Sequence, residues 1–285
     1  MTLLDEPSDL APTEQEIASY RQHGWYLSRL VIPSELIDDA LYDMERHYAG
    51  ERGRPLLAEH YVEWQPGRPG LRLTDYMSLQ YESFQQLVSY PAIGGIAARL
   101  TGLPPIRLFH DQLIYKPPAE PGSLAIVGWH TDRAYWRTCS SEHMLTAWVA
   151  FQDCEAQMGA LRFIEGSHLW DGTLGMKSFY DEDVARLEAE LSREHREFRV
   201  SSPALRKGQV MFHNSRTIHG SPPNRSELPR IALAIHLQDG TNCYVKVKDE
   251  HGHPVVHVID TLCRSTADGN PDYSDPDICP VLCAT

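Results

Sequence analysis

The sequence predicts a mainly β protein whose core is a double-stranded β-helix (a cupin-like jelly roll) carried on supporting helices. Three observations predict it. Helical patterns fall before Gly102, with one later exception. After Gly102-Leu103-Pro104-Pro105 the chain breaks into short apolar runs separated by Pro, Gly and Asn turns, as antiparallel strands are. Helices first and about eight strands after suit a layered jelly roll better than alternating βα units.

The elements follow in order. Residues 1–13, rich in Asp, Glu and Pro, read as a flexible arm. Thr13-Glu14-Gln15-Glu16 is a capping box, so a helix is expected over about 14–23, ended by Gly24. Residues 25–32 (WYLSRLVI) read as a strand. Pro33-Ser34 opens a second helix, with Leu36, Ile37, Ala40, Leu41 and Met44 at helical spacing, ending near Gly50. Residues 51–72 read as irregular, and a third helix is expected over about 83–101. Candidate strands are 106–116, 123–129 running on into 130–132, 144–153, 159–164, 209–213, 217–219, 230–238 and 255–262. One more helix, about 181–195, is charged on most faces and reads as a surface excursion. The tail 265–285 reads as irregular. The expected organisation is the arm, one domain over 14–264 (helical support 14–102, jelly-roll core 106–262) and the tail.

Composition narrows the function. Hydrophobic content of 42% with 23% charged residues suits a soluble globular chain able to bury a core. A net charge of −13 argues against nucleic acid or an anionic membrane as the main partner. Residues 1–15 are acidic and polar, unlike a secretory leader, and no apolar run approaches the ~18 residues that span a bilayer. A cytoplasmic location and reduced cysteines are expected. Cys279 and Cys283 have metal-ligand spacing, but no second pair lies close in sequence to complete a site.

The chemistry concentrates in His130-Thr131-Asp132 and in His219, 87 residues after Asp132. Two imidazoles and a carboxylate are the donor set of the facial triad that holds non-haem Fe(II) and leaves positions open. On a strand, residues i and i+2 face the same way, so His130 and Asp132 are expected to grip one metal from one strand. His219 then comes from a strand distant in sequence. Arg230, eleven residues beyond His219, stands in an otherwise apolar run.

Further pieces stand in a fixed order: residues 20–25 (YRQHGW), 111–117 (DQLIYKP), 128–132 (GWHTD), 145–148 (LTAW), 159–168 (GALRFIEGSH), 208–212, His219-Gly220-Ser221 and Arg230. In these pieces the chain resembles the phytanoyl-CoA dioxygenase-like (PhyH) family of Fe(II)/2-oxoglutarate oxygenases, over roughly residues 14–240. The resemblance implies that His130, Asp132 and His219 ligate Fe(II). It implies that Arg230, with Ser221, holds the distal carboxylate of 2-oxoglutarate; a guanidinium fork suits that task. O2 is the other cosubstrate, and succinate and CO2 are released. The expected outcome is hydroxylation of an unactivated C–H bond in a small molecule of natural-product or amino-acid-derived metabolism, with desaturation or cyclisation as other outcomes of the same site. Family members that halogenate carry Gly or Ala where this chain has Asp132, so oxidation is expected here.

Other residues read two ways. Gln112 shares strand parity with His110 and Ile114 and is placed near the cosubstrate at the barrel mouth. Trp136 is a substrate neighbour or a core residue; Arg133 and Tyr135 read a substrate's polar groups or are solvated. Lys116 reads as a strand-end lysine in solvent. His168 is structural. His213 is not taken as a ligand. His251, His253 and His257 form a second metal cluster or, preferably, an exposed loop entering a strand. Two other functions compete: a jelly roll that binds without catalysis, and a Zn enzyme using the same triad, in which Arg230 has no task.

Overall fold

The computed structural model describes residues 10–56, 58, 61–172, 176–195 and 197–285, so part of the expected arm (residues 1–9) lies outside the described residues. Helix α1 (Glu14–His23) has the predicted capping box at Thr13 and ends at Gly24 in the left-handed conformation, φ 82°. β1 (Trp25–Val31) and α2 (Ser34–Tyr48) follow as expected. The segment expected to be irregular contains the start of a short strand, β2 (Arg72–Asp75), which pairs with β3.

The single helix expected over 83–101 is instead two, α4 (Glu82–Val88) and α5 (Pro91–Thr101), and a short unexpected helix, α3 (Met77–Gln80), precedes them. Pro91 causes the break. It cannot donate to the preceding turn and it forces Tyr90 into an extended conformation, so it begins a helix where the apolar spacing alone would continue one.

The core strands are β3 (Ile106–Lys116), β4 (Val127–His130), β5 (Leu145–Ala150), β6 (Arg162–Ile164), β7 (Val200–Ser201), β8 (Gln209–Asn214), β9 (His219–Ser221) and β10 (Arg230–Gln238). The larger sheet runs β1-β8-β5-β10-β3, and the smaller runs β4-β9-β6-β7. A last strand, β11 (Val281–Cys283), adds to the free edge of β3, so the tail is not wholly irregular.

Two more expectations are corrected. Residues 255–262 are not a strand. Val258–Leu262 is a short helix, α7, because His257 and Asp260 form a reciprocal cap. Helix α6 (Val184–His195) is not a free excursion: Leu187 and Leu191, one turn apart, are buried against Trp129, Ile164 and Ile218.

The register of the larger sheet divides its residues between two faces. Leu113, Leu145, Val149, Phe212, Leu233 and Ile235 face the helices and join Ile37, Phe84, Leu87 and Ile93 in the main core. Residues of the other parity face the smaller sheet and line the cavity described next. Removing one fully buried member should show how strongly the helices depend on the sheet. Leu233→Ala should cost about 2–5 kcal/mol in denaturant unfolding; a loss under about 0.5 kcal/mol would mean that this face is not the core.

Candidate metal centre and its cavity

β4 and β9 are antiparallel neighbours in which His130 lies opposite His219. This pairing brings together two histidines 89 positions apart in sequence. Asp132 is not on the strand with His130, as expected, but on the first residue of a 3-10 turn, Asp132–Ala134. The turn still aims the carboxylate at the two rings. One donor atom from each of the three lies within 4.8 Å of the others, the only such group among the described residues.

The partners of each side chain determine which atoms face inward. His130 Nδ1 lies 2.9 Å from Gly128 O, and His219 Nδ1 lies 2.9 Å from Thr217 O. A carbonyl only accepts, so both Nδ1 atoms carry the proton and both Nε2 atoms keep a lone pair. Asp132 Oδ2 accepts from Thr146 Oγ1 at 2.6 Å and from His213 Nε2 at 3.1 Å. Its Oδ1 is left facing His219 Nε2 at 3.5 Å and His130 Nε2 at 3.9 Å. Burial would raise the Asp132 carboxyl, but His219 and the hydrogen bond from His213 hold it well below the usual carboxylate range. Burial lowers the His130 and His219 imidazoles. The group is therefore two neutral imidazoles and one carboxylate, all in the protonation state that a divalent metal needs.

Gly128 shows how closely this strand is covered. A Cβ there would lie 2.2 Å from Ser178 O and 2.3 Å from Asp181 O. The covering segment puts Phe179 against the His130 ring, centroids 4.8 Å apart. Together with Tyr180 it closes one side of a cavity of about 340 Å³.

At the other end of β10 lies a pair of buried cations. Arg230 and Lys116 are cross-strand partners and are 1% and 0% exposed. Lys116 is therefore not a solvent lysine: Nζ donates to Ser221 Oγ at 2.5 Å, Pro222 O at 2.7 Å and Ser221 O at 3.2 Å. Burial, reinforced by the neighbouring guanidinium, pushes its ammonium well below the ordinary value. Arg230 Nη1 donates to Gly159 O at 2.8 Å, and the guanidinium stands 5.2 Å from the Trp148 ring. Among the described residues neither cation has a carboxylate within 4.0 Å, and buried Arg230 Nε has no partner. Ser221 is held in one sense as well. An ammonium only donates, so Ser221 Oγ accepts from Lys116 and its own hydroxyl proton remains for the cavity that Ser221 lines. Gly159 is needed for this approach: its φ is +69°, and a Cβ would meet Pro222 O at 2.5 Å.

The remaining predicted residues divide. Gln112, Trp136 and Tyr135 line the cavity. Gln112 Nε2 donates to Asp75 Oδ1 at 2.7 Å, and Trp136 also packs on Phe109 at 5.6 Å. Arg133 does not line it; its guanidinium donates to Trp136 O and Cys139 O and braces the turn after Asp132. His168 Nε2 donates to Arg21 O, 3.0 Å away, outside the cavity. His251 and His253 are exposed while His257 is half-buried and lines the cavity, so the three do not form a cluster. No third donor joins Cys279 and Cys283 among the described residues.

Sequence reasoning missed Lys116, Asp75, Thr146, His236 and the covering Phe179 and Tyr180. Strand parity was the available signal for several of them. His213, Thr146, His236 and His110 form one transverse row across β8, β5, β10 and β3.

The profile of the family described as Phytanoyl-CoA dioxygenase (PhyH) matches residues 20–232 of the 285, and the chain belongs to that family. It is 25% identical over 159 residues to the peroxisomal phytanoyl-CoA dioxygenase of Bos taurus, covering 51% of this chain and 43% of that one. It is 28% identical over 177 residues to a probable alpha-ketoglutarate-dependent hypophosphite dioxygenase of Stutzerimonas stutzeri, covering 58% and 56%. The chain thus spans about half the length of these curated relatives. Among solved structures it shares the fold of the epimerase SnoN, whose structure is a complex with Fe3+, alpha ketoglutarate and nogalamycin RO. That likeness has TM-score 0.67 and 22% identity, covering 94% of this chain and 98% of SnoN.

The buried imidazoles make a pH prediction. Burial is the largest cause lowering His130, His219, His236 and His257, the last two to about 3. Each is neutral when folded and charged, below about pH 6.5, when unfolded. The unfolded chain then binds more protons, so stability falls as the pH drops from about 6.5 toward the folded-state values. His110 acts oppositely: Asp75 overcomes its burial and raises it, so its contribution is present at low pH and lost as the pH rises. Burial is also the largest cause lowering His47 and His168. Six against one, the metal-free protein should lose stability on acidification, by up to roughly 1.4 kcal/mol per pH unit for each net histidine. Denaturation midpoints between about pH 7.5 and 5.5 check the sign; a midpoint that rises over that range would contradict it.

Proposed function

We propose that this chain is a non-haem Fe(II)- and 2-oxoglutarate-dependent oxygenase that hydroxylates a C–H bond of a small organic molecule. One observation carries the reading: a neutral-imidazole and carboxylate triad and the buried Arg230, with Lys116 paired behind it, stand at the same cavity, which the triad and Arg230 line. His130 Nε2, Asp132 Oδ1 and His219 Nε2 would hold the metal, and their N/O chemistry fits Fe(II). The open fork of Arg230 and the hydroxyl proton of Ser221 fit a carboxylate, and with it the far end of a dicarboxylate cosubstrate. When bound, Fe(II) and 2-oxoglutarate supply oxidative decarboxylation by O2, which releases succinate and CO2 and attacks the C–H bond.

The chain's own residues do the rest. Thr146 and His213 hold Asp132 Oδ2, so Oδ1 stays in place. Lys116 orients the Ser221 hydroxyl and adds positive charge at the cosubstrate's far end. Phe179, Leu161, Val127 and Trp136 wall the cavity and exclude water, which protects a reactive centre. The cavity volume suits a small molecule. The Asp132 carboxylate occupies the position a halide would need, which favours an oxygenated over a chlorinated product.

The test is Fe(II)- and O2-dependent conversion of 2-oxoglutarate to succinate. His130→Ala and His219→Ala should lose it while remaining folded. Arg230→Ala should raise the KM for 2-oxoglutarate by roughly ten- to a hundredfold, the ~1.5–3 kcal/mol of a charge-assisted bond; Arg230→Lys should recover part. An unchanged KM in Arg230→Ala, or full turnover in either histidine variant, would remove that residue from its role. Mass spectrometry in chloride buffer should find no chlorinated product.

A further inference from the structure

The proposed function leaves one wall of the cavity without a task. Three more imidazoles line it. His110 and His236 are cross-strand partners and stack with centroids 5.0 Å and planes 7° apart. His257, the cap of α7, meets His110 edge-on at 5.9 Å. His236 and His257 thus flank His110.

The partners of these rings assign their protons. Thr146 has one hydroxyl proton, and it goes to the Asp132 carboxylate at 2.6 Å. Its oxygen is then the acceptor for His236 Nδ1–H at 2.9 Å. His236 is neutral, so its Nε2 keeps a lone pair, and that atom has no protein partner among the described residues. His257 is the reverse. Its Nδ1 accepts from Ile259 N–H at 3.3 Å, so the proton of this neutral ring sits on Nε2, also without a protein partner. The wall therefore offers one acceptor and one donor on either side of His110.

Charge on this wall is already balanced. His110 Nε2 lies 3.2 Å from Asp75 Oδ1. Gln112 Nε2 donates to the same oxygen at 2.7 Å, and Val62 N–H donates to Oδ2 at 2.9 Å. Asp75 is 3% exposed and presents no open face to a cation. No lysine is among the described lining residues, and their one arginine, Arg230, is at the cosubstrate end. Trp136, edge-on to His236 at 4.8 Å, adds an apolar surface.

We propose that His236 and His257 form the substrate-reading subsite, and that it takes a neutral polyhydroxylated molecule of the polyol or glycoside class. A substrate hydroxyl donates to His236 Nε2, and the same or an adjacent hydroxyl accepts from His257 Nε2–H. A carboxylate, a polyanionic thioester or an ammonium finds no countercharge there. This assignment rests on the function proposed above.

The test reads binding. Mn(II) replaces Fe(II), with 2-oxoglutarate present, and water-proton relaxation shows whether the metal is bound. Line broadening in ligand NMR then reports which molecules sit beside it. The panel holds methyl glucopyranosides and myo-inositol, their monodeoxy counterparts, butyryl-CoA and lysine. Neutral hydroxylated members should broaden, and some monodeoxy counterparts should not. Two variants keep the local structure. His257→Asn retains an acceptor for the Ile259 cap, and His236→Asn retains a donor to Thr146, while each loses its Nε2. Each should bind the responding glycoside or polyol about tenfold more weakly, as for one lost hydrogen bond. Broadening confined to charged members, none from any hydroxylated member, or equal binding by both variants would overturn the proposal. Absence of bound Mn(II) would count against the proposed function instead. Saturation transfer from the protein to the same panel, in the same variants, would then decide the subsite.

Discussion

The site depends on one register, that of β10 between β3 and β5. Setting Arg230 opposite Lys116, Ala234 opposite Gln112 and Trp148, and His236 opposite His110 and Thr146 puts every one of these side chains on the inner face. The alternate residues, Leu233 and Ile235 among them, then face the helices. A slip of one residue would exchange the two sets: cations and imidazoles would enter the apolar core, and leucines would line the cavity. The apolar face that binds the helices thus holds the polar face in position. The smaller sheet needs less, since the pairing of His130 with His219 and one short turn bring in the carboxylate.

Within that frame, burial gives the polar groups defined orientations. Each has a limited number of donors and acceptors, and the backbone takes the ones not needed inward. Gly128 and Thr217 carbonyls take the Nδ1 protons, so lone pairs point at the centre. Thr146 and His213 take one carboxylate oxygen, so the other is presented. Lys116 takes the serine lone pair, so the serine proton is presented. The two cations are the exception. Their charge has no carboxylate among the described residues, and burying a charge without one is costly. In the proposed function a dicarboxylate cosubstrate would remove that cost, which ties the cation pair to the triad.

The parts legible in the sequence were those specified locally. The bounds of β3 and β10 follow from long β-patterned runs, and the α1 cap from four adjacent residues. His130, Asp132, His219 and Arg230 stood out because their residue types and spacing are rare together. What was misread depends on distant partners. Lys116 at a strand end looks solvated until Ser221 and Pro222, over a hundred residues on, supply its acceptors. Helix α6 looks exposed until Trp129 and Ile218 cover its two leucines. Val258–Leu262 has β-prone residues, yet the His257–Asp260 cap makes it a helix. Asp75 sits on a strand too short to show a pattern, and its role appears only beside His110 and Gln112.

The claim most worth testing is that the triad and the cation pair serve one metal-bound cosubstrate. Anaerobic titration of 2-oxoglutarate into the Fe(II)-loaded protein, followed by visible absorption, tests it most directly. The account predicts a metal-to-ligand charge-transfer band that saturates at one cosubstrate per chain. Tight iron binding with no band at saturating 2-oxoglutarate would contradict it.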